Sequence, residues 1–231
     1  MTRGILIAGN ESSLTAAIEA EAAKRVERFA LALIPNRLFG AAPGAVSEAS
    51  RSAPPPEEAR IPLQWNPGSP VSARTLVLAA ENRLEHIDEA LLICSPPSVR
   101  RAAADLLPAD IEIIVHDHIK GWFFLVKELA SIFRARRAGS LALVFSEMGS
   151  GGRDETADLL GPAALASFRA FAQSLLASAF HEPYLTMGFS ASEAGTETAF
   201  AAFVFKLLEE GNTRNNGKWH KFSKLNPFNR L

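Results

Sequence analysis

Two stretches of this chain hold residue types that could do chemistry. The first is His116-Asp117-His118, three titratable groups in a row. Histidine has the ordinary pKa closest to neutral, so the cluster could carry a proton-transfer step. The two histidines with a nearby carboxylate could also be weighed as metal ligands. Their i, i+2 spacing puts them on one face of a strand but on different faces of a helix. That reading is the weaker one, and no metal is expected. The second stretch is Ser146 with the Gly-rich polar loop 147–158 behind it. Ligands of an open α/β sheet sit outside the carboxyl ends of the strands, and this loop follows an apolar run at such an edge. Ser146, His118 and an acid from the loop, Glu147 or Asp154, could then supply acid and base. The simpler reading makes the histidine cluster a solvated helix start, with Asp117 favouring the positive end of the helix dipole and His118 a helix-cap or surface residue.

The elements that must position these groups alternate between strand and helix patterns. Trp122, Val126, Leu129 and Phe133 recur at i, i+4, i+7 and i+11 and share one helix face. Arg134, Arg136 and Arg137 crowd the last turn, where positive charge suits the carbonyl end, and Gly139 reads as the stop. Ser140–Ser146 then reads as a strand buried on both faces of a parallel sheet. Upstream, Gly4–Ala8, Phe29–Ile34, Ile61–Trp65 and Ile87–Cys94 read as strands. Helices start at a Ser12 or Ser13 cap and at Pro70, where the missing N–H costs nothing. A short helix over Val99–Leu107 is expected to stop before Pro108. Ile111–Val115 either begins the long helix or precedes it as an extended piece.

Downstream, Gly161-Pro162 opens a second long helix. Leu165, Phe168, Ala172, Leu175 and Ala179 line one face, and Ala166, Ala170, Ser174 and Ala177 form a small-residue face. Tyr184–Phe189 reads as a strand and Ala194–Glu209 as a helix with Phe200, Phe203, Val204 and Leu207 or Leu208 inward. Asn215-Asn216-Gly217 is a turn before an edge strand at Lys218–Phe222. Residues 38–60, rich in Ala, Ser, Gly and Pro, break the rhythm as a surface insertion or a flexible lid. The order predicts a three-layer αβα, Rossmann-like fold: a doubly wound parallel sheet of about seven strands in one domain over 1–231.

Composition narrows the function classes. The net charge of −1 and the lack of a basic block argue against a nucleic-acid partner. The lone Cys94 excludes an internal disulfide and a multi-Cys metal site and suits a reducing compartment. The first apolar run is too short for a secretory signal, and no charge-free stretch reaches the length of a membrane span. No membrane contact and a cytoplasmic location are therefore expected. The long helices at 120–136 and 162–180 carry more apolar surface than one sheet can cover, which predicts a homodimer or homotetramer.

The order and spacing of these elements resemble the short-chain dehydrogenases/reductases. The best-kept parts are His118-Ile-Lys-Gly121 with its helix and Gly139-Ser140-Leu-Ala-Leu-Val-Phe-Ser146, and the likeness runs from Gly4 to about Phe222. The resemblance implies a dinucleotide, NAD or NADP, seated over the first strand. It places the cofactor turn at Gly9, Asn10, Ser12 and Ser13, with Asn66 at the adenine end. It also offers Arg37 after the second strand to a 2′-phosphate, which would favour NADP. It places the carbonyl-polarising serine at Ser146 and the proton-relay position at His118.

Other family positions are changed. The second and third glycines of the turn become Ser13 and Thr15. The ionisable Tyr and Lys of the second long helix fall at Gly161 and Leu165. The Pro-Gly after the sixth strand becomes Ala191-Ser192. The sole tyrosine, Tyr184, lies on another element. Two readings follow. One is a degenerate member without conventional oxidoreductase activity, kept as a scaffold, regulator or ligand sensor. The other is an NAD(P)-dependent oxidoreductase with a rearranged site using Ser146 and His118.

Overall fold

Apolar strand residues here alternate between two covered faces, which is why the strands read as unbroken hydrophobic runs. The computed structural model describes residues 3–35, 37–38, 57–146, 158–193 and 195–223. Its strands are β1 (Ile5–Asn10), β2 (Phe29–Ile34), β3 (Arg60–Leu63), β4 (Glu89–Cys94), β5 (Ser140–Ser146), β6 (Leu185–Ala191) and β7 (Trp219–Phe222). They form one seven-stranded sheet in the order β3-β2-β1-β4-β5-β6-β7. Every pairing is parallel.

The helices are α1 (Ser13–Ala22), α2 (Pro70–Leu84), α3 (Pro108–Val115), α4 (Gly121–Arg136), α5 (Leu160–Ser178) and α6 (Glu197–Glu210). Leu6, Ala8, Leu92, Leu143 and Phe145 face the layer of α2, α4 and α5. Ile5, Ile7, Leu91, Ile93 and Val144 face the layer of α1 and α6. The three-layer Rossmann-like architecture is as the alternation of elements requires.

Several local expectations are corrected. Val99–Leu107 is not a helix; it is extended apart from a single 3-10 turn at Ala103–Asp105. Pro108 does not stop a helix but opens α3, with its ring at the first turn where no donor is lost. Of the two alternatives for Ile111–Val115 the helical one holds: the segment lies inside α3, which runs into α4 through a π turn, His116–Lys120. The helix α4 ends at Arg137, a non-glycine residue in the left-handed region at φ 54°, not at Gly139. On α6, Phe200, Val204 and Leu208 are buried as expected; Phe205 is buried too, and Phe203 and Leu207 pack against the same core only partly buried. Most of 38–60, loop residues 147–157 and Ala194 lie outside the described residues.

Gly139 has a different task. At φ 134° it adopts a backbone few side chains accept, and a Cβ there would sit 2.4 Å from the Phe133 ring. Gly139→Ala is expected to destabilise the protein by about 2–3 kcal/mol through overpacking and backbone strain, read as a lower urea midpoint. The segment Leu160–His181 is long and apolar enough to cross a membrane by length and composition. Here it lies against the sheet through Ala164, Phe168, Ala172 and Leu176, with its small-residue face exposed.

Candidate functional site

The chain turns back in strand order between β1 and β4, so the carboxyl ends of these two strands flank the crevice where α/β folds hold ligands. Gly9 pairs with Ile93 across it. A Cβ on Gly9 would meet the Ile93 carbonyl oxygen at 2.8 Å, so strand pairing alone requires glycine here. The Asn10 amide donates to the Ser95 carbonyl and ties the two strand ends together. Ser12 is the N-cap of α1, accepting the Thr15 N–H at 3.1 Å. The buried Thr15 hydroxyl donates to the Asn10 carbonyl at 2.7 Å and lies 2.9 Å from Ser12 Oγ. Gly9, Asn10, Ser12 and Ser13 thus come together at one turn, with Thr15 closing it from inside.

Arg37 and Asn66 also meet, but around a third residue. Arg37 Nη2 donates to Asp117 Oδ1 at 2.6 Å and to Asn66 Oδ1 at 3.3 Å. Asp117 is not at a solvated helix start: it is 1% exposed and sits in the π turn between α3 and α4. Burial pushes its carboxyl up and the Arg37 guanidinium pulls it back, leaving it above the usual carboxylate value.

His118 is neither a helix cap nor a surface group. It is 3% exposed, and burial pushes its imidazole down to about 4. Its Nδ1 has no hydrogen-bond partner among the described residues, and neither do the indole nitrogens of Trp65 and Trp122. The two indoles pack at 5.5 Å, and Trp122 meets Phe168 of α5 edge-on at 5.3 Å. The π turn ahead of α4 carries both Asp117 and His118 in buried positions. Among the described residues no group of three His, Cys, Asp or Glu could hold a metal.

Ser146 ends β5, half-buried, with its hydroxyl 3.5 Å from the Ala191 carbonyl of β6. Nothing among the described contacts joins it to His118 Nδ1. Glu147 and Asp154 lie outside the described residues. At the start of α5, Asp158 Oδ1 accepts the N–H groups of Leu160 and Gly161 at 3.1 and 3.0 Å. A Cβ on Gly161 would meet Asp158 Oδ2 at 2.6 Å and the Pro97 carbonyl at 3.3 Å. The segment after β4 reaches this point because Arg100 bridges to Asp158.

Thr15, Asp117 and Asp158 therefore organise the site in ways the sequence reading did not assign. Asp158 had a signal, an acid just ahead of a helix start. The other two act through partners that spacing does not reveal. Tyr184 is at the opposite, amino ends of the strands, just ahead of β6, its ring 5.5 Å from Phe133. It lines a cleft of about 630 Å³ with Arg3, Glu89 and Glu182.

No family model matches the sequence, and no curated protein does. Solved structures do match. Levodione reductase superposes with a TM-score of 0.68 at 14% identity over 96% of each chain. A candidate short-chain dehydrogenase/reductase family oxidoreductase from Aeromonas hydrophila gives 0.71 at 15% identity, over 96% of this chain and 99% of that one. An NADH-dependent reductase complexed with NAD gives 0.69 at 15% identity, over 95% and 94%. With its sheet order, its two helical layers and these superpositions, the chain has the fold of the short-chain dehydrogenases/reductases.

Proposed function

We propose that this chain is a short-chain dehydrogenase/reductase-like protein without conventional hydride-transfer activity, serving as a scaffold, regulator or ligand sensor. The observation that carries this is Gly161. At the position the resemblance gives to the ionisable tyrosine, the space a side chain would enter holds the Asp158 carboxylate and the Pro97 carbonyl. The self-bonded turn at Asn10, Ser12 and Thr15, and the Asn10 tie across the β1–β4 crevice, support the same reading. A positioned general acid is worth roughly 10²–10⁴-fold in rate. Purified protein is therefore expected to show no turnover above background on a carbonyl panel with NADH or NADPH. Ordinary turnover on any member of the panel overturns the proposal.

A second reading, an oxidoreductase using Ser146 and His118, draws on one observation: the imidazole stays neutral near pH 7 with Nδ1 unpartnered among the described residues. The NAD held by one of the similar structures makes NAD or NADP the ligand to screen first. Thermal-shift titration reports it, since a ligand that binds the native state raises apparent stability.

For assembly, the reading is a homodimer or homotetramer through α4 and α5. Phe123 is 52% exposed, with its ring tilted against Phe171 at 4.3 Å, Phe180 is 74% exposed, and Ala166, Ala170 and Ala177 leave the α5 face open to close approach. Sedimentation showing only monomer at micromolar concentration contradicts it. The buried, free Cys94 supports a cytoplasmic setting.

A further inference from the structure

The guanidinium of Arg37 stands at the end of β2, where an anion on a bound ligand would be recognised, and a carboxylate of this chain already holds it. We propose that Asp117 is an internal counter-anion that withholds Arg37 from phosphomonoester ligands, so that this end of the sheet does not select a phosphorylated ribose. Arg37 Nη2 is shared between Asp117 Oδ1 at 2.6 Å and Asn66 Oδ1 at 3.3 Å. The two side chains differ sharply in exposure, 43% for Arg37 and 1% for Asp117. Asp117 Oδ2 has no hydrogen-bond partner among the described residues, so the ion pair with Arg37 is the main compensation of this buried carboxylate, with a smaller contribution from His116.

An incoming phosphate has two routes, and both are unfavourable. Sharing the guanidinium brings a dianion beside a desolvated carboxylate, where like charges repel far more than in water. Displacing Asp117 leaves a buried carboxylate without its cation, the arrangement that makes broken buried ion pairs strongly destabilising. Asp117 cannot simply withdraw. The π turn that carries it is pressed against the loop after β3: a Cβ on Gly121 would lie 2.4 Å from Pro67 Cβ, and one on Gly68 would lie 3.3 Å from His116 Cβ. The turn and the loop are in contact, so the carboxylate is fixed where it meets the guanidinium.

The test compares arginines within one protein. Phenylglyoxal, which modifies accessible guanidinium groups, is applied to the wild type, and labelling is followed by peptide mass mapping. Arg37 is expected to react at least fivefold more slowly than Arg74, an exposed arginine of α2, and the gap is expected to close in Asp117→Asn. Equal rates at the two arginines in the wild type overturn the proposal, and that arm needs neither a variant nor a ligand.

The coenzyme arm rests on the ligand-sensing reading above and uses titration calorimetry with NADH and NADPH. The wild type is expected to bind NADPH no more tightly than NADH, with Arg37→Ala leaving the ratio unchanged within twofold. Asp117→Asn is expected to shift the ratio at least tenfold toward NADPH. A shift away from NADPH in Asp117→Asn would make Asp117 a residue that positions Arg37 for phosphate, the opposite role, and overturns the proposal. Failure of both coenzymes to bind counts against the sensing reading alone, because the labelling rates still decide the state of Arg37.

Discussion

Trp122→Ala is expected to lower stability by about 3–5 kcal/mol, the range for removing a large aromatic from a core. Trp122 is 1% exposed and stands where three parts of the molecule meet. It touches Trp65 beyond β3 at 5.5 Å and Phe168 of α5 at 5.3 Å, and Phe168 in turn reaches Phe145 of β5 at 6.3 Å. The cavity left by alanine is lined by rings that cannot collapse into it, since each is held by its own element. The decisive comparison is Trp122→Phe. The indole nitrogen has no hydrogen-bond partner among the described residues, so phenylalanine removes a buried donor that stabilises nothing while keeping most of the ring. Urea denaturation should place Trp122→Phe within about 1.5 kcal/mol of the wild type. If the phenylalanine variant loses as much as the alanine one, the indole N–H is bonded and the packing account is wrong.

The second large effect is a dependence on pH set by His118. In the folded protein burial holds its imidazole down to about 4, whereas an unfolded chain has the ordinary value of 6.5. Between these values the unfolded state takes up a proton that the folded state refuses. The contribution is therefore fully present above pH 6.5 and is lost as pH falls toward 4. At its largest the loss is about 3 kcal/mol, from a shift of this size. Glu19, Glu89 and Asp117 are raised by burial and act in the opposite sense. A whole-protein pH curve thus mixes several groups. The measurement is a difference: urea midpoints of the wild type and His118→Leu from pH 4 to 7.5. The wild type should lose stability relative to His118→Leu as pH falls from 6.5 toward 4. Parallel curves would show that His118 titrates alike in both states.

The order of strands and helices was legible from residue pattern because it depends on local periodicity. Phe29–Ile34 and Ser140–Ser146 are strands at the boundaries their apolar runs suggest, and Pro70–Leu84 is a helix from its proline onward. The same local rule failed between 95 and 120. Arg100 leaves a helical pattern to bridge to Asp158, and the π turn joins two helices that periodicity alone would separate or merge. At each departure a residue meets a partner distant in the chain, Asp158 for Arg100 and Arg37 for Asp117.

The site divides in the same way. The sequence by itself determined that Gly9, Asn10, Ser12 and Ser13 share a turn at the end of a strand, because neighbours in the chain stay neighbours in space. It also determined that no ionisable residue stands at 161 or 165. Only the tertiary structure decided what the charged residues do. Arg37 and Asp117 lie 80 positions apart, yet they meet at 2.6 Å because β2 and the π turn converge on the loop after β3. The burial of Asp117 and His118 belongs to that convergence as well. A charge in a sequence carries its sign, but its partner and its solvation are set only when distant elements pack, and those two quantities decide whether it binds a ligand or holds the fold.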